Sequence, residues 1–255
     1  MMRIDLNADV GESFGQFKVG EDEALFSSIT SANVACGFHA GDFNVMQKTV
    51  EQAARQKVSI GAHPGYPDLQ GFGRRELMMS PREIYNAVVY QIGALKQFCD
   101  IQGVTLNHVK PHGALYNTAT INRTVADAIA EAVYDAVPNA YLYGLCNSEL
   151  LQAGNKIGLK TAGEAFADRR YTAEGTLCSR LLPEAVLHTY EEIEKQVMDI
   201  VLNKQVQTIT GEMISLQADT ICFHGDGQGV ASHARQIRRA LASVNVRVSA
   251  LGDAI

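Results

Sequence analysis

The chain has 255 residues and a mass of 27.7 kDa, a length for which we predict a single domain over residues 1–255. Its 46% hydrophobic and 20% charged residues are typical of a folded globular protein and argue against disorder. The formal charge of −6 argues against nonspecific binding to nucleic acid or to an anionic membrane surface. The sequence has no apolar run long enough to span a membrane and no N-terminal signal segment. We therefore expect a cytoplasmic protein without a nucleic-acid or membrane partner.

Five cysteines are spread along the chain without a CxxC pair. They are Cys36, Cys99, Cys146, Cys178 and Cys222. Their odd number and apolar surroundings predict buried, reduced thiols, and argue against a disulfide framework or a cysteine-based metal cluster.

Short β-type runs alternate with longer helical patterns along the chain. The predicted strands cover residues 3–6, 31–36, 58–62, 105–109, 140–145, 159–162, 220–223 and 246–250, and the predicted helices cover residues 42–57, 80–98, 123–136, 183–202 and 230–242. This alternation predicts a parallel sheet with both faces covered, which fits a doubly wound sheet or a closed barrel. Polar residues end nearly every strand, and barrel sites collect side chains at the C-terminal strand ends. We therefore predict an α/β fold of the (β/α) barrel type.

The first strand carries an acidic stripe. Asp5, Asn7 and Asp9 alternate with apolar residues, so their side chains point to one face of the strand. A central parallel strand normally buries both faces, which makes such a stripe costly unless it is paired. A solvated edge strand would also explain the alternation, but we favour a functional placement.

The fourth strand repeats this pattern with His108, Lys110 and His112 on one face. Pro111 holds Lys110 in an extended conformation at the strand exit. A lysine there can neutralise the carboxylates of the first strand or hold an anionic substrate. A purely structural ion pair is the alternative, but it does not explain why so many polar groups converge.

Four histidines share a local pattern in which an apolar run ends at the histidine and glycine follows closely. They are His39, His63, His112 and His224. The pattern is typical of a strand that ends in a tight turn before a helix. Because a barrel brings such strand ends to one face, we predict that the four side chains meet there. His188, which we place inside a helix, and His233, near a helix start, lack this pattern.

Two glycine-rich loops follow predicted strands. The segment 61–75 carries four glycines and Arg74 and is typical of an active-site loop. Gly225, Asp226 and Gly227 begin a loop before a helix, where backbone N–H groups and the helix dipole can bind an anion. The sequence of this second loop fits neither the Walker A pattern nor the GxGxxG pattern of nucleotide sites.

Charged residues also follow the sixth strand. Glu164 and Asp168 add carboxylates there, and Arg169 is a candidate clamp for a substrate carboxylate. Arg169 and Arg170 are also consistent with solvated loop charges.

Six segments together resemble one known family. They read DLNADVGE at 5–12, ANVACGFHAGD at 32–42, GAHPGYPDLQGFGRR at 61–75, VKPHGALYN at 109–117, GEAFADRRY at 163–171 and QADTICFHGDG at 217–227. In this order they resemble the LamB/YcsF family, the A subunits of 5-oxoprolinase. The resemblance implies an irregular seven-stranded (β/α) barrel related to the glycoside hydrolase/deacetylase superfamily. It also implies opening of the 5-oxoproline lactam to L-glutamate, with ATP converted to ADP and phosphate, in a complex with subunits B and C. The family's usual cysteine is replaced by Ala8, which excludes a cysteine nucleophile at that position.

The expected site combines this resemblance with the polar pattern. The candidate catalytic residues are Asp9, His39, His63, Lys110, His112, Glu164 and His224, and the candidate substrate-binding residues are Asp5, Asn7, Arg74, Asp168, Arg169, Gly225, Asp226 and Gly227. Hydrolysis of a lactam needs an activated carbonyl, a base and a protonated leaving nitrogen. We expect partner subunits to use ATP to activate the amide oxygen, while Asp9 or His39 serves as base. His112 or His63 then serves as acid, and Lys110, Arg169 and the 225–229 loop hold the substrate carboxylate and the developing oxyanion.

Two alternative functions remain open at this point. The first is a stand-alone metal-dependent amidohydrolase or deacetylase, in which Asp9, His39 and His63 bind a divalent metal ion. The second is a non-catalytic subunit that binds the substrate and delivers it. Metal analysis tests the first alternative, and single substitutions of Asp9, Lys110 and His112 test the second.

Overall fold

The computed structural model describes residues 2–224 and 229–253. Its strands, in chain order, are β1 (Arg3–Val10), β2 (Ser31–Ala35), β3 (Ser59–His63), β4 (Leu106–Val109), β5 (Tyr141–Leu145), β6 (Lys160–Phe166), β7 (Gln205–Gln207), β8 (Met213–Ser215), β9 (Thr220–Phe223) and β10 (Arg247–Val248). Within the described residues, β1 to β6 and β9 form a closed barrel of seven parallel strands, because β9 pairs with both β6 and β1. The predicted (β/α) barrel is therefore confirmed.

Helices follow most of the barrel strands. In chain order they are α1 (Asp22–Phe26), α2 (Phe43–Gln56), α3 (Pro81–Ile101), α4 (Gly113–Ile121), α5 (Arg123–Ala136), α6 (Glu149–Lys156), α7 (Tyr190–Met198) and α8 (Val230–Ser243). After α7 the chain continues in a π-helical turn over Asp199–Asn203. In the described part of the chain, none of the helices has the length and apolar character needed to cross a membrane.

Side-chain caps determine where two predicted helices begin. The Asp42 carboxylate accepts hydrogen bonds from two backbone N–H groups in the first turn of α2. Ser80 and Glu83 form the predicted capping box of α3, with Pro81 in its first turn. Both helices therefore start close to where the sequence predicts.

One predicted helix is too long at its start. The helix predicted over 183–202 begins only at Tyr190, where Thr189 and Glu192 form a capping box. The preceding residues turn instead, and Glu184 among them has a φ of 63°, which a right-handed helix does not permit. His188 therefore lies before the helix, and its side chain is exposed.

The last predicted strand, over 246–250, is also wrong in extent. The structure retains only β10, which pairs with Arg3 and Ile4 at the start of β1. The next residues of β1 pair with β9 instead. β10 therefore adds only a two-residue parallel pairing to the start of β1, outside the seven-stranded barrel.

The barrel and its helices share a continuous apolar core. Ile60 of β3, Ile92 of α3 and Ile129 of α5 are buried in it, and full burial of such a side chain stabilises the fold by about 1.5–3 kcal/mol. All five cysteines are buried and unpaired, which confirms that prediction.

β1 positions the polar interior of the barrel. It pairs with β2 on one side and β9 on the other, so it is a central strand, and the solvated-edge alternative is wrong. Its alternation directs Asp5, Asn7 and Asp9 into the barrel, where they are 0%, 0% and 6% exposed. Three polar groups inside a parallel barrel need partners, and those partners define the site.

Candidate active site

Two layers of buried polar side chains fill the barrel. The lower layer, nearer the N-terminal strand ends, consists of Asp5, Asn7, Asn33, His108, Tyr143 and Thr220. The upper layer, at the C-terminal strand ends, consists of Asp9, Glu12, His39, His63, Lys110, His112 and Glu164. Barrels of this kind bind their ligands at the C-terminal ends of the strands, so the upper layer is the candidate site.

Asp5 is the central acceptor of the lower layer. Its carboxylate accepts hydrogen bonds from the hydroxyls of Thr30 at 2.6 Å, Ser31 at 2.8 Å, Thr220 at 2.6 Å and Tyr143 at 3.2 Å. Burial nevertheless raises the pKa of Asp5 above its ordinary value. With four donors on two oxygens, this carboxylate is fully used inside the protein.

Asn33 connects the two layers. Its amide nitrogen donates to Asn7 Oδ1 at 2.7 Å and to Asp9 Oδ1 at 2.8 Å, and its oxygen lies 2.8 Å from His108 Nε2. The His108 ring stacks on Tyr143 with 4.2 Å between ring centres. Burial lowers the pKa of His108 to about 3, so this ring stays neutral and donates to Asn33.

Lys110 supplies a buried cation in the upper layer. Its ammonium lies 3.0 Å from Asp9 Oδ1, 2.9 Å from Glu164 Oε1 and 3.0 Å from the Cys222 sulfur. Burial opposes the charged form, but the Asp9 carboxylate, the Cys222 sulfur and the Glu164 carboxylate raise the pKa of Lys110 well above its ordinary value. The ammonium is therefore charged throughout the physiological pH range.

Three imidazoles meet beside Asp9. His63 Nε2 lies 3.4 Å from Asp9 Oδ1 and 3.0 Å from His112 Nδ1. The His39 ring stacks on His112 with 3.7 Å between ring centres, and its Nε2 lies 3.3 Å from Glu12 Oε1. Burial opposes the charged form of Asp9, but His63 together with Lys110 holds the pKa of Asp9 well below its ordinary value.

Backbone carbonyls hold two of these rings in place. His63 Nδ1 donates to the Lys110 carbonyl and His112 Nε2 donates to the Phe72 carbonyl, each at 2.8 Å. A carbonyl only accepts, so these two ring nitrogens carry protons. Phe72 has a φ of 53°, which is uncommon for a residue other than glycine and is typical of strain retained at functional sites.

Asp68 orders the loop over 61–75. Its carboxylate accepts hydrogen bonds from the backbone N–H groups of Gly71 at 3.0 Å and Arg75 at 3.3 Å, and it pairs with the Arg75 guanidinium. The Gly73 carbonyl of the same loop accepts from the backbone of α4. The predicted active-site loop is therefore folded against the barrel and positions Phe72.

A cavity of about 660 Å³ opens above the upper layer. Asp9, Glu12, His63, Lys110 and His112 line its inner end. The inner end of the cavity therefore carries side chains of both charges and two imidazoles.

Three arginines line the same cavity: Arg74, Arg169 and Arg180. Burial, followed by repulsion from Arg180, lowers the pKa of Arg169 to about 10, which leaves it charged at neutral pH. The Arg169 guanidinium also donates to the Cys178 carbonyl, so its position is fixed. Such a wall suits a small anionic ligand.

His224 lies in the cavity wall beside Asp168. Its Nδ1 is 2.8 Å from Asp168 Oδ1, and its ring stacks on Phe166 with 5.1 Å between ring centres. Asp168 therefore orients His224.

The sequence and the fold match known proteins over almost the whole chain. A sequence model of the LamB/YcsF family matches residues 4–255. The chain belongs to the LamB/YcsF family. It is 52% identical to the 5-oxoprolinase A subunit of Tolumonas auensis, over 98% of this chain and 100% of that protein. It is 50% identical to the 5-oxoprolinase A subunit of Bacillus subtilis, over 99% of this chain and 98% of that protein. The crystal structure of the lactam utilization protein from Thermus thermophilus matches with a TM-score of 0.92 and 42% identity, over 98% of this chain and all of the other.

Most of the predicted site residues of this LamB/YcsF protein meet at the upper layer. Those that line the cavity are Asp9, His63, Arg74, Lys110, His112, Arg169 and His224. His39 and Glu164 belong to the upper layer but are fully buried and do not line the cavity; they contact its lining residues Glu12 and Lys110 respectively. Three of the four predicted histidines, His39, His63 and His112, meet in this layer, whereas His224 lies apart in the cavity wall beside Asp168. The individual catalytic roles stay predictions.

Asp5 and Asn7, which the sequence predicts to bind substrate, lie in the lower layer. They precede Asp9 on β1 by four and two residues, which places them about 13 Å and 7 Å further down the barrel. Neither lines the cavity. Gly225, Asp226 and Gly227 lie outside the described residues, so the anion-binding loop stays a prediction.

The possible metal ligands of this LamB/YcsF chain differ from the triad that the sequence suggests. The four residues whose ligand atoms lie within 4.8 Å of one another are Glu12, His39, His63 and His112. Asp9 Oδ1 instead accepts from Lys110 and Asn33.

Sequence reasoning missed Glu12 and Arg180. Glu12 stands two residues after the strand, where Gly11 has a φ of 69° and turns the chain, so the alternation of β1 does not extend to it. The segment DLNADVGE, which carries the family resemblance, ends at Glu12 and is the signal that could have found it. Arg180 lies in an irregular segment far along the chain and had no such signal.

Proposed function

We propose that this chain is the ring-opening subunit of an ATP-dependent 5-oxoprolinase, which converts the 5-oxoproline lactam to L-glutamate together with subunits B and C. Relatives about half identical over nearly their full length are named as the A subunits of 5-oxoprolinase, which supports this reaction class. The observation that carries the chemistry is the Lys110 ammonium, buried between Asp9 and Glu164 at the inner end of the cavity.

The charge of the cavity supports a small acidic substrate. The 5-oxoproline molecule carries a carboxylate, and Arg74, Arg169 and Arg180 line the wall. Guanidinium groups form planar, charge-assisted hydrogen bonds to carboxylates and phosphates. The same wall suits a substrate that arrives with a phosphoryl group attached.

The proposed reaction balances with two waters. A partner subunit transfers the γ-phosphoryl group of ATP to the lactam oxygen and releases ADP. Water then adds to the ring carbon, the ring C–N bond breaks, and the nitrogen takes a proton, which leaves γ-glutamyl phosphate. A second water hydrolyses that acyl phosphate to L-glutamate and inorganic phosphate.

The upper layer provides the groups that ring opening needs. Lys110 stabilises the negative charge that develops on oxygen when water adds to the ring carbon. Asp9 lines the cavity beside Lys110 and accepts the proton of the attacking water. His224, oriented by Asp168 in the cavity wall, can supply a proton to the leaving nitrogen.

The sequence contains neither a Walker A nor a GxGxxG pattern, which fits use of ATP by the partner subunits. We assign ATP to subunits B and C and ring opening to this chain. The proposal places the reaction in the cytoplasm, where ATP is available.

Reconstitution tests this proposal. Conversion of 5-oxoproline to glutamate is measured with the three subunits together, with each one omitted, and with and without ATP. We expect turnover only with all three and ATP, and no ATP hydrolysis by this chain alone. ATP-independent ring opening by the isolated chain would instead identify a stand-alone amidohydrolase. Normal turnover without this chain would exclude it from the reaction.

A further inference from the structure

Two ring nitrogens in the upper layer face each other, and in neutral rings neither of them carries a proton. His63 Nε2 and His112 Nδ1 are 3.0 Å apart, and the opposite nitrogen of each ring already donates to a backbone carbonyl. In neutral rings, both facing nitrogens therefore present lone pairs. Two lone pairs at this distance repel each other unless a cation lies between or beside them.

Glu12 and His39 complete the arrangement. Glu12 Oε1 lies 3.3 Å from His39 Nε2 and 3.8 Å from His112 Nδ1. His39 Nδ1 is buried and has no hydrogen-bond partner among the described residues, and it lies against Gly65. Glu12 is thus the polar side chain that this buried ring faces.

The distances match those between ligands of one small cation. Transition-metal bonds to nitrogen and oxygen are about 2.1 Å long, which places neighbouring ligand atoms about 3.0 Å apart in an octahedron and about 3.4 Å apart in a tetrahedron. Three of the six separations among the ligand atoms are 3.0, 3.3 and 3.8 Å, and all six are within 4.8 Å. A proton would lie only between His63 and His112, whereas one divalent ion would contact ligand atoms from all four residues.

Two of the three histidines have the surroundings of metal ligands. A ligating histidine normally donates its other ring N–H to a backbone carbonyl or carboxylate, which fixes the ring and its tautomer. His63 does so to Lys110, and His112 does so to Phe72. The Phe72 carbonyl, in a residue with strained backbone, thus fixes the orientation of the His112 ring.

We propose that Glu12, His39, His63 and His112 form a binding site for a divalent transition-metal ion. Three imidazoles and one carboxylate suit Zn²⁺, Fe²⁺, Co²⁺ or Ni²⁺ better than Mg²⁺ or Ca²⁺, which prefer oxygen ligands. Glu12, His63 and His112 line the cavity, so the ion faces the substrate space. An ion there would polarise the substrate carbonyl or activate water, a role that rests on the proposed ring-opening function; the binding itself does not.

Titration with Co²⁺ tests the site. Tag-free, full-length protein is stripped with a chelator and titrated with Co²⁺, while visible absorption reports coordination by nitrogen and oxygen and elemental analysis reports the bound metal. We expect saturable binding of one ion per chain. Thermal stability should rise on Zn²⁺ or Co²⁺ addition, because the ion binds the folded state.

Matched substitutions locate the ion. Glu12→Gln keeps the side-chain shape and should weaken Co²⁺ binding by at least about 100-fold. Glu164→Gln makes the same change in a buried carboxylate that pairs with Lys110 and should leave Co²⁺ affinity close to that of the wild type. His112→Gln is a second ligand variant, and circular dichroism confirms that each variant is folded.

The measurements need neither ATP nor partner subunits, so their outcome is independent of the turnover assay. Absence of saturable Co²⁺ binding by the wild type would overturn the metal site. So would wild-type affinity in folded Glu12→Gln and His112→Gln. Either result would leave the 5-oxoprolinase proposal standing, and failure of that proposal would leave a measured metal site standing.

Discussion

The lower and upper polar layers lie in the same barrel and share strand β1, but their hydrogen bonding differs. In the lower layer, Asp5 is surrounded by four hydroxyl donors, and each donor is a neutral side chain. In the upper layer, Lys110 lies between two carboxylates. The facing nitrogens of His63 and His112 both present lone pairs when the rings are neutral. The carboxylate of the lower layer is hydrogen-bonded by neighbouring side chains. The upper layer instead places charged side chains at the inner end of the cavity.

The comparison shows how a barrel can contain both a stabilising polar network and a reactive one. Buried polar groups add to stability when every donor and acceptor is paired. Groups that react must keep a lone pair, a proton or a charge available to a ligand. Substitutions in the lower layer should therefore change stability, and substitutions in the upper layer should change chemistry.

Lys110→Met should produce the largest effect on activity. It keeps most of the side-chain length and removes the charge, so we expect turnover of the full complex to fall by roughly 100-fold or more. Loss of the cation beside Asp9 and Glu164 should also lower the free energy of unfolding by roughly 3 kcal/mol. Steady-state kinetics and urea unfolding measure the two effects.

The control is Lys160→Met, the same change near the opposite end of the barrel, where Lys160 is exposed. It should alter neither turnover nor stability appreciably. Normal turnover in folded Lys110→Met would mean that Lys110 is only a structural counter-ion.

Asp5→Ala should be mainly a stability variant. It removes the acceptor of the buried hydroxyls of Ser31, Tyr143 and Thr220, which we expect to cost roughly 3 kcal/mol of unfolding free energy. At a temperature where the variant remains folded, kcat and KM should match those of the wild type. A raised KM would instead show that Asp5 contacts the substrate, as the sequence suggested.

Two glycine substitutions, at Gly61 in β3 and at Gly65 just after it, test the difference between the two layers. A Cβ at Gly65 would lie 2.8 Å from His39 Nδ1, and a Cβ at Gly61 would overlap the His108 ring at Nε2. Gly65→Ala should displace His39 and reduce turnover by about tenfold, a change worth about 1.4 kcal/mol in the barrier.

Gly61→Ala should instead lower stability by about 2 kcal/mol through overpacking against His108, with little change in turnover of the folded protein. Unfolding curves and kinetics for both variants decide the matter. Equal losses of activity in the two variants would contradict the division between the layers.

Asp5→Asn should reveal a small, pH-dependent effect. Burial raises the pKa of Asp5, so between the unfolded-state value near 3.8 and the folded-state value the folded protein binds the extra proton. Stability from this group is therefore present at low pH and is lost as pH rises through the folded-state pKa. Relative to Asp5→Asn, the wild type should lose unfolding free energy over that window. A difference that is constant with pH would contradict the raised pKa.

Much of the site could be predicted because strand periodicity and turn residues are local properties. The alternation of β1 predicts that Asp9 points inward, and the glycines after the histidines predict where strands end. The helix predicted over 183–202 failed for a local reason as well, since the backbone turns at Glu184 before the Thr189 cap. Glu12 was missed for a different reason. Its position depends on the turn at Gly11, which strand periodicity does not predict.

Apolar periodicity and the segment motifs were sufficient to predict the (β/α) barrel, the family and the inward face of β1, because both are local properties of the chain. The enclosure of Asp5 and the access of Asp9 to the cavity depend instead on packing in three dimensions. Alternation gives the face of a strand, but the partners at each height depend on the register between strands, as when Thr220 comes to lie beside Asp5. The sequence predicted that His39, His63 and His112 meet, but Glu12 joins them only because the turn at Gly11 places it beside residues that are distant along the chain.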